Sequence, residues 1–194
     1  MPALRNLKPQ DCRRPPLSLS APENLSNSRM TKSRKQPAAG IGCITLDAPA
    51  YPARLRQIYD APLVLYVRGN VTALSQPGIA VIGTRHPTPY GIGMAERLAS
   101  ELAGRGFVIF SGLARGVDTA AHRGAVAAKR KTVAVFDTGA DVVYPKENSR
   151  FADQILSVGR ALISEFPMGT FARPQNFPIP NRIISEISFW GPRC

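Results

Sequence analysis

Between Ile79 and Ser164 the chain repeats one pattern: a short apolar run, then a segment with helical spacing. The runs are Ile79–Ile82, Phe107–Phe110, Thr132–Phe136 and Ala161–Ser164. Ile92–Arg105 places apolar residues at 92, 95, 98, 99 and 102, one face of a helix. Asp118–Lys129 is rich in Ala, with Asp118 suited to an N-cap, and Phe151–Val158 stops at Gly159. Strands that are apolar at every position need cover on both faces, which intervening helices of about three turns supply. The pattern therefore predicts an α/β fold with a doubly wound, mostly parallel sheet. Upstream, Tyr51–Ile58 reads as a short helix and Leu63–Val67 as a further strand, with order beginning near Ile44.

In such folds the ligand crevice lies at the carboxyl ends of the strands. Those ends carry Gly83, Thr84 and Arg85, then Ser111, Gly112, Arg115 and Gly116, then Gly139, and finally Ser164 and Glu165. Glycine lets backbone N–H groups approach an anion, and a following helix start adds partial positive charge. Arg85 and Arg115 add full charges, so the edge is a candidate phosphate site; glycines also serve simply to make tight turns. No G-x-G-x-x-G fingerprint and no Walker sequence is present, so neither a dinucleotide cofactor nor ATP hydrolysis is indicated. No cofactor is expected.

Catalytic candidates are few. Asp118 and His122, four residues apart, share a helix face and suit acid–base work; the alternative is a capping Asp and a locally packed His. Ser111 has no nucleophile-elbow sequence around it. Glu165 could meet a ribose or base edge, or pair with an Arg. Lys129-Arg130-Lys131 could contact nucleic acid or complement a helix C-terminus.

Charge narrows the partner. Across 194 residues, 25 Lys and Arg face 13 Asp and Glu, a net +12. An excess of this size points to a polyanion, with a basic solvated tail as the alternative. Residues 1–40 hold eight basic and two acidic residues, half of the excess, in a segment rich in Pro, Ser and Asn. The segment reads as a disordered basic leader without the apolar core of a secretory signal, and Met30 is an alternative start. No run of 18 apolar residues occurs, and Cys12, Cys43 and Cys194 suit neither a disulfide framework nor a metal site. A cytoplasmic protein is expected.

Several of these motifs coincide with one family. Ile82-Gly-Thr-Arg-His-Pro-Thr-Pro-Tyr-Gly91 resembles the GSR…T.YG motif of the DprA/Smf DNA-processing proteins, and Ser111–His122 resembles that family's SG.A.GID..AH stretch. Tyr51-Pro52, Pro62–Gly69, Asp141–Pro145, Ser164-Glu165 and Phe177–Ser185 continue the match in order, over residues 44 to 188. The resemblance implies a Rossmann-like domain over residues 41–194 that binds single-stranded DNA, forms a homodimer and helps load a RecA-type recombinase in natural transformation, without enzymatic turnover. It implies phosphate contacts from Arg85, a lysine near Lys129, and Asn181-Arg182; Phe171 or Phe177 could stack on a base, or either could simply pack. Two positions depart from the pattern: Pro180 stands where FP.RNR has its first Arg, and Glu186 where NRI.SGLS has Gly. The chain then ends where the family's sheet continues, so a C-terminally truncated domain lacking its last strands is expected.

Two other readings are carried. One is a nucleotide-cleaving enzyme related to the lysine-decarboxylase-like (LOG) proteins, although their P-G-G-x-G-T-x-x-E loop is absent. The other is a non-functional remnant, which would show no cooperative unfolding.

Overall fold

The computed structural model describes residues 40–157, 159–176 and 179–188. The proposed leader, apart from Gly40, lies outside the described residues, as do Phe177 and the last six positions. All described elements belong to one compact unit, Gln36–Cys194.

Six strands form one mixed sheet: β1 (Ile41–Thr45), β2 (Val64–Gly69), β3 (Gly78–Ala80), β4 (Val108–Ser111), β5 (Thr132–Phe136) and β6 (Ala161–Ser164), in spatial order β1-β2-β6-β5-β4-β3. β3 to β6 run parallel, as the apolar runs predict. β2 joins β6 antiparallel and β1 joins β2 antiparallel, making the sheet mixed at that edge. β1 was not anticipated; its pattern of one buried residue in five carries little apolar signal.

The helices are α1 (Ala53–Arg56), α2 (Pro89–Gly104), α3 (Val117–Ala127), α4 (Ser149–Ser157) and α5 (Ile179–Ile187). Strand residues alternate between two cores. Val108, Phe110, Val133, Val135, Ala161 and Ile163 share one with Leu55 of α1 and Ile183, Ile184 and Ile187 of α5. On the opposite face, Ile109 packs with Ala99 and Ala103 of α2 and Ala121 and Ala125 of α3, while Leu162 and Ala134 pack with Ala152 and Ile155 of α4. Both faces are thus buried, which is why these strands are apolar throughout. The three βαβ crossovers all return on the α2–α3–α4 face, and α5 closes the other.

Local chemistry shifts two helix starts. α2 begins one turn before Ile92, because Thr88 Oγ1 accepts from Gly91 N (3.1 Å) and Pro89 occupies the first helical position. α3 is capped by Gly116, not Asp118. Gly116 sits at φ 81, and a Cβ there would strike the Thr84 carbonyl. α3 also lies close to α2: a Cβ on Gly124 would meet the Glu96 carbonyl oxygen. The helix expected over Tyr51–Ile58 is only the single turn of α1, whereas α5 was not foreseen.

Candidate nucleic-acid interface

A pocket of about 170 Å³ opens at the carboxyl ends of β4 and β5. Its walls come from the loop after β3 (Arg85, His86), the loop before α3 (Gly112, Arg115), the end of β5 (Asp137), the following loop (Tyr144, Pro145) and the first turn of α5 (Pro180, Asn181). Its place follows from topology: parallel strands ending together leave a crevice between the helices of the two faces. Of the residues singled out from sequence, Arg85, Gly112, Arg115, Asp118 and Asn181 meet here.

The glycine amides are arranged differently from the expectation. Asp118, buried in the first turn of α3, accepts from Gly83 N at 3.3 Å and Gly112 N at 3.2 Å. The protein's own carboxylate therefore takes the place a phosphate would occupy over those two N–H groups. Burial pushes the Asp118 carboxyl above the usual range, and the hydrogen bonds oppose that rise. Gly139 N donates to the Thr170 carbonyl at 2.9 Å, so that amide is also committed. The Thr84 carbonyl accepts from Val117 N at 3.2 Å, tying the first loop to the start of α3. Ser111 is fully buried and donates to the Val81 carbonyl at 2.7 Å, inside the sheet.

The cations divide similarly. Arg85 is exposed at the pocket mouth and acts electrostatically on the half-buried Asp137, opposing the rise that burial gives that carboxyl. Arg115 forms a two-point ion pair with Glu147, Nε–Oε1 at 2.5 Å and Nη2–Oε2 at 2.8 Å, both side chains being solvent-facing. Arg182 is clamped by Glu165 at 2.6 and 2.7 Å and by Asp60 at 3.2 Å. Glu165 therefore has the arginine partner that was one of its two readings. Lys129 does not join the pocket: α3 starts at the carboxyl edge and runs back, leaving Lys129 just before β5 begins, at the amino edge. Its φ of 56 places it in the turn that closes α3. Phe171 is exposed but is not in the pocket wall.

Asp118 and His122 do not form a pair. His122 Nδ1 and the Thr132 hydroxyl share a hydrogen bond of 2.7 Å, and the same hydroxyl lies 2.7 Å from the Ile109 carbonyl. Nε2 is buried and meets no hydrogen-bond partner within bonding geometry. Burial pushes the imidazole down to about 3, with the nearby Arg160 charge adding to the effect. The histidine is a packed, neutral group.

Sequence reasoning missed His86, Asp137 and Pro180 as wall residues. The apolar Ile183, Ile184 and Ile187, spaced for one helix face, could have revealed α5 and hence its first turn. Among the described residues no cluster of His, Cys, Asp and Glu suits a metal ion, and no helix is long and apolar enough to cross a membrane.

A mostly parallel Rossmann-like α/β sheet with an arginine-lined crevice at its strand ends defines a class of domain suited to nucleotides or nucleic acid. The chain matches the family model described as DNA recombination-mediator protein A over residues 42–189, and it belongs to that family. It is 40% identical over 150 residues to DNA processing protein DprA of Bacillus subtilis, covering 77% of this chain and 50% of that protein. It is 38% identical over 177 residues to DprA of Streptococcus pneumoniae, covering 91% and 60%. The chain thus spans half to three-fifths of the length of these relatives. The fold is similar to the X-ray structure of the S. pneumoniae protein, with a TM-score of 0.71 at 38% identity over 77% of this chain and 52% of that one. It is also similar to DNA processing protein A from Helicobacter pylori, reported for its unique single-stranded DNA binding mode, with a TM-score of 0.64 at 32% identity over 75% and 66%.

Proposed function

We propose that this chain binds single-stranded DNA through the strand-end crevice and acts by binding rather than by catalytic turnover. The observation that carries the reading is the convergence of Arg85, His86, Arg115 and Asn181 on one pocket, in a chain of a DNA-processing family. Arg85 and Arg115 supply phosphate-directed charge, Asn181 a polar edge, and Tyr144, about half exposed in the pocket wall, an aromatic face for a base. Asp118 holds the two strand-end loops and His122 packs against Thr132, so these two do not act as an acid–base pair. Protection of incoming DNA, assistance to a RecA-type recombinase, self-association and a cytoplasmic location complete the proposal, resting on family membership alone.

Fluorescence anisotropy with a labelled oligonucleotide tests it. Binding should weaken steeply with added salt, because phosphate neutralisation releases counterions. Arg85→Ala should reduce affinity by about tenfold, the worth of one charge-assisted contact. Salt-insensitive or absent binding would overturn the reading, as would unchanged affinity in the Arg85 variant. Release of free base from a nucleotide would revive the enzyme alternative.

A further inference from the structure

A second cavity, of about 370 Å³, lies between α3 and α4 and is lined by Arg123, Arg150, Glu147, Asn148 and Gln154 among others. Its two arginines are exposed, and among the described residues neither forms an ion pair. The placement of Arg150 is unfavourable for the fold: it lies in the first turn of α4, where the helix dipole disfavours a cation, and no acidic residue shares that turn. The only carboxylate in the wall, Glu147, is already paired with Arg115. Two guanidinium groups therefore face the cleft without a counter-charge of their own.

The two cavities meet at that ion pair. Arg115 lines the strand-end pocket, Glu147 lines the α3–α4 cleft, and their two hydrogen bonds join the walls. Both partners face solvent, where water and salt screen the pair and a strand phosphate has access to Arg115. Asn148, by contrast, is buried and donates to the Leu113 carbonyl (2.9 Å) and Thr119 Oγ1 (3.0 Å), so the backbone beside Glu147 is fixed to the start of α3. The backbone beside Glu147 is anchored, while its carboxylate faces solvent.

We infer that the α3–α4 cleft is a second phosphate subsite, in which Arg123 and Arg150 hold phosphodiesters of a strand leaving the strand-end pocket across Arg115. Glu147 is the resident anion that the strand displaces from Arg115. The inference rests on the single-strand reading of the first pocket and extends it from a point contact to a track.

The test compares oligothymidylates of about 4 and about 16 nucleotides on the full chain, by anisotropy over a series of salt concentrations. With Arg123→Ala/Arg150→Ala, the short oligomer should bind as it does to the parent chain. The long one should bind about tenfold more weakly, and its slope of log affinity against log salt should flatten by about 1.4, two contacts at about 0.7 each. Glu147→Gln should tighten the long oligomer several-fold, and Arg115→Ala should abolish that gain. Arg123→Gln/Arg150→Gln repeats the measurement with side chains of similar length, should the alanine pair alter the circular dichroism spectrum. If the parent chain binds but the long oligomer keeps its slope and affinity in both arginine pairs, the second subsite is overturned and the first stands. If the parent chain binds neither oligomer, both fall together.

Discussion

His122 shows how one residue type can carry opposite meanings. At i+4 from an aspartate it resembles half of an acid–base pair. In the fold it is a fully buried, neutral ring with Nδ1 bonded to the Thr132 hydroxyl and Nε2 unpartnered. Its pKa, pushed down to about 3, lies below the value of about 6.5 for an unfolded histidine, so the unfolded chain takes up the proton more readily. The stability it allows is intact above about pH 6.5 and is lost as pH falls toward 3. Between pH 6.5 and 5 the loss should be about 2 kcal/mol. Thermal melts across that window should show it, and His122→Gln should remove most of the slope. The neighbouring carboxylates work the same way at a larger scale. Asp118, Glu147 and Glu165 occupy the amides and arginines that a sequence search nominates for phosphate.

At the scale of elements, α3 sets the site. Its N-terminus carries Asp118 between two strand-end loops, and at its other end the fully buried Arg160 donates from Nη2 to the Val126 carbonyl in the last turn (3.4 Å) and from Nε to the Arg130 carbonyl just beyond the helix (2.7 Å). Its middle must approach α2 closely, and Gly124 permits that. Gly124→Ala would place a Cβ against the Glu96 carbonyl, so α2 must move outward. Overpacking of this kind costs about 1–3 kcal/mol. Urea denaturation of the variant should show a lower midpoint with an unchanged slope.

At the scale of the molecule, the three apolar clusters share strands. β4, β5 and β6 each place residues in the core against α1 and α5 and also in a core under α2, α3 or α4. Neither layer can open without exposing the other side of the same strands. Calorimetry should therefore record a single transition, with calorimetric and van't Hoff enthalpies in agreement. Absence of a cooperative transition would favour the remnant reading. The net +12 also separates at this scale, since half of it lies in residues 1–40 and half in residues 41–194. β3 pairs only with β4 among the described residues and so leaves one edge of the sheet without a partner there.

The parallel core is legible in the sequence alone. Apolar runs at β3 to β6 with helical spacing between them are a one-dimensional record of burial on both faces, and they also locate the strand ends where a crevice forms. The motif resemblance points to the family, which the comparisons show. Which nominated groups meet is settled by packing instead. Arg85 and Arg115 converge because their loops end neighbouring strands, while Lys129 is carried away by the length of α3. Packing also settles which charges are committed: Arg182 to Glu165 and Asp60, two glycine amides to Asp118. Local spacing fixes a residue's own conformation and face, whereas its partners are as many as 122 positions away, as for Arg182 and Asp60. Pairing at that distance is set by how the elements pack, and no local pattern encodes it.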